Sequence, residues 1–320
     1  MQPDLVVATF QADFFRQWGH LTDPHVRALA WLLDAPDLLD LQALQWRGKI
    51  ATLSGTIGPD IAEWLATLDR APQALHAYLA LQPFARLGRY AEKLMAFYFD
   101  HAQLLYAHGV QVRAGKNDTV GEFDFLLKHG SRLVHWEFAT KFYLFESSGT
   151  GLESDYFVGP NLADTLGAKM RKIIDRQLML AQHPAAQIHL PQPVVSAQAL
   201  VKGWLFYHDN DPVSISSLGV LAGHCHGFWC TQAELSRREA PAYAVLPRLS
   251  WLAPARLAVT LCLGQTALQE YLQRYFETDT MPVMVALMMP HGDHAIEMDR
   301  GFVVPDDWQE RATHRIATMR

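Results

Sequence analysis

Asp124, Glu137 and Lys141 lie within one stretch, GEFDFLLKHGSRLVHWEFATK, residues 121–141. Asp124 sits inside an apolar pattern, and Glu137 sits between Trp136 and Phe138. Carboxylates in such surroundings are costly to bury unless they pair with a cation or bind a metal. Two carboxylates and a lysine converging across neighbouring strands suit a divalent cation and an activated water. Mg2+ or Mn2+ takes oxygen ligands, typically carboxylates, waters and substrate phosphates. A nearby lysine can orient or deprotonate the attacking water, or stabilise charge in the transition state. The chemistry that fits is metal-assisted phosphodiester hydrolysis.

The elements that must position these groups follow from periodicity. Glu122 to Leu126 alternates polar and apolar residues with the period of a strand, Lys128–Ser131 has turn chemistry, and Leu133–Phe142 resumes a strand. The pair predicts a β-hairpin. Lys141 stands four residues after Glu137, so the two share a face but lie about 13 Å apart along an extended strand. Ala139 leaves room for the lysine to fold back, so its ammonium group is expected to reach Glu137 or Asp124. The alternatives are solvent or Glu146.

A helix is predicted over Leu87–His108, with Gly109 as its cap and a short strand over Val110–Arg113. Glu92, near the helix start, is either a solvated first-turn acid or a third carboxylate directed at the hairpin. An acidic, Gly/Ser-rich loop, Glu146–Pro160, follows the hairpin and is placed to cover it or to move freely. A second helix is predicted from Asn161 or Asp164 through Gln182. Lys169, Arg171, Lys172 and Arg176 give that helix a basic side, either simply solvated or set for phosphate contacts. A strand over Ala199–His208 completes an α-β-β-β-α-β order from Leu87 onward.

Residues 1–84 read as a helical region, with helices over Leu5–Trp18, Pro24–Leu33, Ile61–Leu68 and Gln73–Leu81. Trp18, Trp31, Trp46 and Trp64 read as packing anchors. From 211 to 320 the chain is mixed. Strands are expected over Ser216–Ala222 and Met281–Met289, and helices over Thr266–Phe276 and Asp306–Ile316. His224, Cys225, His226 and Cys230 carry zinc-type ligands, but their spacing matches no finger or ribbon, and buried thiols with ordinary histidines are the better reading. His291–His294 reads as a turn between two strands.

Half of the 320 residues are hydrophobic, and the formal net charge is −6. This is a folded globular composition with no overall basic footprint, so any nucleic-acid contact must use a local patch. Three cysteines fit a reducing cytoplasm better than a disulfide framework. The first residues lack the basic segment of a signal peptide, and no apolar run reaches the ~18 residues of a membrane span. No P-loop, Rossmann glycine pattern or nucleophile elbow is present. The length suggests roughly two domains.

The element order, with an Asp on one strand and a Glu followed by a Lys on the next, resembles the PD-(D/E)XK nuclease superfamily over about residues 86–210. More narrowly, GEFDFLL, HWEFATKFYL and GPNLADTLGAKMRKIIDRQLMLA resemble an uncharacterised bacterial family. It is known as domain of unknown function 1853 and grouped by fold with those nucleases. The resemblance implies an α/β fold: a nuclease-like core over 85–210, with a central mixed sheet flanked by helices. An N-terminal helical region (1–84) and a C-terminal α+β extension (211–320) would flank that core. It implies that Asp124 and Glu137 hold Mg2+ or Mn2+, with Glu92 beside them, and that Lys141 and Gln177 assist the chemistry. Lys169, Lys172 and Arg176 would meet phosphates of nucleic acid, DNA being favoured over RNA. One departure is visible, since the superfamily spaces its acid and lysine by two positions and Ala139 stands there. Two functions therefore follow: a metal-dependent nuclease, or a non-catalytic nuclease-like fold that binds nucleic acid or protein.

Overall fold

Proline and acid punctuation organises the N-terminal helices. The computed structural model describes residues 9–81, 86–116, 118–147, 154–209, 211 and 218–319. Helix α1 spans Phe10–Trp18 and α2 Pro24–Asp34; the Asp23 carboxylate caps α2 by accepting from the His25 and Val26 amides. A short strand β1 (Ile50–Ala51) precedes α3 (Pro59–Arg70) and α4 (Gln73–Ala80). Helix α5 (Leu87–His101) leads into β2 (Leu105–Gly115), β3 (Asp118–His129) and β4 (Arg132–Phe145). Then come β5 (Phe157–Val158), α6 (Leu166–Asp175) and β6 (Val194–Tyr207). The rest comprises β7 (His226–Thr231), β8 (Ala242–Val245), β9 (Arg256–Ala258), α7 (Gln265–Phe276), β10 (Val283–His291), β11 (His294–Val304) and α8 (Trp308–Met319).

These strands build one mixed sheet in the order β2-β3-β4-β6-β7-β11-β10-β8, with β1 beside β6, β5 beside β4 and β9 beside β11. The β2-β3-β4 end is antiparallel, the β4-β6-β7-β11 centre is parallel, and the β11-β10-β8 end is antiparallel again. The central strands are apolar on both faces because helices cover both. On one face, Leu94, Met95, Tyr98 and Phe99 of α5 pack against Phe125, Leu127, Phe142 and Leu144. On the other, Leu166, Met170, Ile173 and Ile174 of α6 pack against Ala139, Tyr143, Val201 and Leu205. The register of β4 with β6 sets Gly203 opposite Lys141, and a side chain there would collide with the Lys141 carbonyl. Trp18, Trp31 and Trp46 are buried, and Trp64 stacks on His101 with ring centroids 4.1 Å apart. No helix among the described residues is long and apolar enough to cross a membrane.

Three expected elements differ. The helix from Leu87 ends at His101 rather than His108, because Gln103 takes a left-handed φ of 57° and Leu105 onward pairs with β3. The run Leu104-Leu105-Tyr106 fits either period, and sheet pairing decides it. The helix expected through Gln182 stops at Asp175, since Arg176 leaves helical geometry (φ −126°, ψ −57°) and Gln177–Gln182 continues as a 3-10 turn. In place of a strand over Ser216–Ala222, Val220 forms a single bridge with Leu39, and residues 216–217 lie outside the described set. Residues 5–8 of the first expected helix, and 148–153 of the acidic loop, also lie outside it. The turn at His291–His294 joins β10 to β11 as expected.

Candidate metal centre

The site begins with a break in alternation. Phe125 and Leu127 face α5, while Leu126 and Phe123 both enter a smaller cluster with Val112, Leu133 and Leu180 on the opposite face. Successive strand residues should alternate, so the chain changes face at Asp124. Strand β2 does the same at Gly109, which adopts φ +61° between Ala107 and Val110, both packed on that smaller cluster. A left-handed φ suits glycine there. Strands β3 and β4 pair as far as Phe125↔Trp136, and beyond that the Asp124 carboxylate takes the Phe138 amide at 2.9 Å. The two strands diverge from this point.

The break turns Asp124 toward α5. Carboxylate oxygens of Glu92, Glu122 and Asp124 lie within 4.8 Å of one another, the one such group of metal-ligand side chains among the described residues. Arg89 bridges two of the three, its Nη1 donating to Glu92 at 2.9 Å and to Glu122 at 2.8 Å. Burial, and then the Asp124 charge, push the Glu92 carboxyl up to about 7. Burial, and then the Glu137 charge, do the same to Asp124, also to about 7. At Glu92 the Arg89 contact pulls the other way but is outweighed.

Glu137 approaches Asp124 from the α6 face and is 1% exposed. Its Oε1 meets His135 Nε2 at 2.8 Å, and its Oε2 accepts from Gln177 Nε2. Burial raises its carboxyl to about 7, against a hydrogen bond with Asp124 and the Lys169 charge, which both lower it. Burial lowers His135 to about 4, so the imidazole is neutral near pH 7. Two buried polar atoms beside this carboxylate, His135 Nδ1 and Gln177 Oε1, have no hydrogen-bond partner. Buried atoms of this kind usually find a protein group, an ordered water or an ion.

The fold brings Asp124, Glu92, Glu137, Gln177 and Lys169 into one neighbourhood. It does not bring Lys141 there. No ion pair joins Lys141 to Asp124 or Glu137; its ammonium group lies 6.0 Å from the Tyr143 ring centroid, and the charges acting on it are Lys169 and Asp164. Along the extended β4 the stem does not recover the separation that Ala139 leaves open. Lys172 and Arg176 are exposed, and Arg171 bonds Asp155 at 2.8 Å. Sequence reasoning missed Glu122, Arg89 and His135. His135 had a signal, since it lies two residues before Glu137 and so shares its face of β4. Where β6 meets β7, His224 is held between Tyr207 (2.9 Å) and the Leu221 carbonyl (2.5 Å), and burial pushes the Cys225 and Cys230 thiols up to about 12. Those residues are core, not ligands.

The model of the family described as Domain of unknown function (DUF1853) matches residues 27–304. The chain belongs to this family. Every side chain of the candidate centre falls inside the matched DUF1853 region, from Arg89 on α5 to Gln177 after α6. No curated protein and no solved structure matches the chain.

Proposed function

We propose that this DUF1853 protein is a metal-dependent phosphodiesterase acting on nucleic acid, with a PD-(D/E)XK-like core. The observation that carries the reading is the gathering of Glu92, Glu122 and Asp124 oxygens within 4.8 Å, with too little positive charge around them. The donor set is all oxygen, which suits Mg2+ or Mn2+. The unpartnered Nδ1 of fully buried His135 and Oε1 of Gln177 add polar capacity beside the neighbouring Glu137. When bound, the ion would acidify a water and offset charge on a phosphoryl oxygen.

The chain's own groups have separate tasks. Glu137, with its carboxyl near 7, can take or hold a proton at neutral pH, as a general base must. His135 and Gln177 fix its orientation. Lys169, not Lys141, is the lysine whose charge acts on Glu137, and it is suited to stabilise charge on the phosphate. Exposed Lys172 and Arg176 remain available to the backbone of a strand.

Cleavage of single- and double-stranded DNA and RNA should be assayed with Mn2+, beside Asp124→Asn and Glu137→Gln. Glu137→Gln should lose roughly 100-fold or more in rate, while Asp124→Asn should weaken Mn2+ by more than the ~10–100-fold of an outer-shell change. Because the acids near 7 must shed protons to bind, Mn2+ affinity should fall as pH drops from 8 to 6, by about tenfold per unit for each proton displaced. Flat affinity over that range would remove these carboxyls as ligands. A second reading, a binding module that does not cut, is favoured by the separation of Lys141 from the carboxylates. Nucleic-acid binding without turnover in every metal would select it.

A further inference from the structure

Beyond Trp136, β4 leaves β3 behind, and among the described residues no strand pairs with 139–143 on that side before β5 meets Leu144. A cavity of about 270 Å³ opens at this edge, lined by Arg86, Lys141, Tyr143, Asp164, Arg248 and Trp251 among others. Its lining carries three cations and one acid. That acid is already engaged, since Asp164 Oδ2 accepts from the Tyr143 hydroxyl at 3.1 Å. Lys141 makes no ion pair with any described residue, and Arg248 lies over the Trp251 ring at 5.4 Å. Lys141 is half-buried while Arg86 and Arg248 are exposed, and together with Asp164 they leave the lining a net surplus of two positive charges, which favours an anion there. Gly88 also lines the cavity, and its missing side chain leaves open space beside the first turn of α5, where amide groups are unpaired and no acidic residue intervenes.

We propose that this cavity binds a phosphate monoester, and that within the nuclease reading above, on which this identification of the source rests, the monoester is the phosphorylated end of a nucleic-acid strand. A monoester dianion matches the surplus of two, whereas an internal diester carries a single charge. Arginines offer forked donors to phosphate oxygens and Lys141 a point charge. The cavity and the carboxylates share α5, since Gly88 lines the one and Glu92, about one turn further on, belongs to the other. A strand anchored by its end here would run along α5 toward the acidic cluster. Lys141 then serves to place the end of the strand rather than to activate water.

Binding without turnover tests this separately from cleavage. The full chain with Asp124→Asn, in metal-free buffer, is titrated with 5′-phosphorylated, 3′-phosphorylated and unphosphorylated forms of one oligonucleotide, and with inorganic phosphate and a nucleoside monophosphate. Tighter binding of one phosphorylated end by about tenfold, abolished by adding Lys141→Gln or Arg248→Gln, is the expected result. Retained preference on adding Arg47→Gln, an exposed arginine outside the cavity lining, completes it. Equal binding of all oligonucleotides would overturn the proposal even if the wild-type protein cuts. Preference for an end without cleavage by wild type would keep the pocket and remove the nuclease reading. Saturation by inorganic phosphate or the monophosphate with no preference among oligonucleotides would assign the cavity to a free phosphate ester and overturn the strand-end identification. Circular dichroism of each variant confirms that the fold is intact.

Discussion

Among the places where this molecule buries charge, two do so in opposite ways. At Arg300 every guanidinium nitrogen has an acceptor. Nε and Nη2 donate to Glu297 at 2.6 and 2.7 Å, Nη2 also to the Ala253 carbonyl at 2.7 Å, and Nη1 to the Trp251 carbonyl. Glu297 accepts in addition from the Ala255 amide at 2.7 Å, and the guanidinium lies 4.3 Å from the Trp204 ring centroid. Positive and negative charge balance within the group. Around Asp124, by contrast, Glu92, Glu122 and Glu137 add negative charge, and Arg89 and Lys169 sit at the margin. The difference teaches where to look for function. A charge that the fold has already satisfied holds the chain together, here by pinning residues 251–255 to β11. A charge left in excess points to something that arrives from outside.

Breaking each group should move stability in opposite directions. Arg300→Ala leaves Glu297 buried and uncompensated, and should cost about 3–5 kcal/mol in denaturant unfolding. A loss below about 1 kcal/mol would mean that the clasp does not hold the fold. Asp124→Asn should instead stabilise the metal-free protein by about 1 kcal/mol at pH 8, since the amide can still accept from Phe138 but adds no repulsion. The sign follows from linkage. An acid with its folded pKa raised to about 7 binds more protons when folded, so stability falls as pH climbs from the usual carboxylate range through 7. The gain from Asp124→Asn should therefore shrink toward pH 5, and a variant that is less stable at both pH values would break the comparison. The smallest effect is expected at the surface, where Arg47 meets Asp175 at 2.7 Å with both side chains well exposed. Arg47→Gln should change unfolding free energy by less than about 1 kcal/mol.

Part of this contrast is legible in the sequence alone. Asp124 and Glu137 stood out because carboxylates interrupt apolar strands, and the hairpin around them followed from alternation alone. Glu92 could be placed on a helix near the site, although whether it turned inward could not. The rest depended on non-local pairing. Glu122 sits two residues from Asp124 and does share its side beside Glu92, so it was open to the same alternation; the break at Gly109 and Asp124, made jointly by two strands, was not. The end of α5 depended on Leu105 finding β3, which no local window contains. Lys141 failed for a simpler reason, because a strand keeps residues four apart too far from each other for one stem to close the distance. The balanced pair of Glu297 and Arg300 drew no notice in the sequence, since its partners are carbonyls of a distant loop.

The hydrogen bond from the Phe138 amide to Asp124, 2.9 Å long, has a spectroscopic use. An amide proton donated to a carboxylate resonates at a frequency set by that group's charge, so the backbone of β4 carries its own indicator of the state of Asp124. A nitrogen–proton correlation spectrum should show the Phe138 signal shifting with acid, titrating with an inflection near 7, and shifting again or broadening when Mg2+ or paramagnetic Mn2+ is added. With uniform nitrogen-15 labelling the residue needs no attached probe and no substitution, and its neighbours in the ladder supply the internal reference.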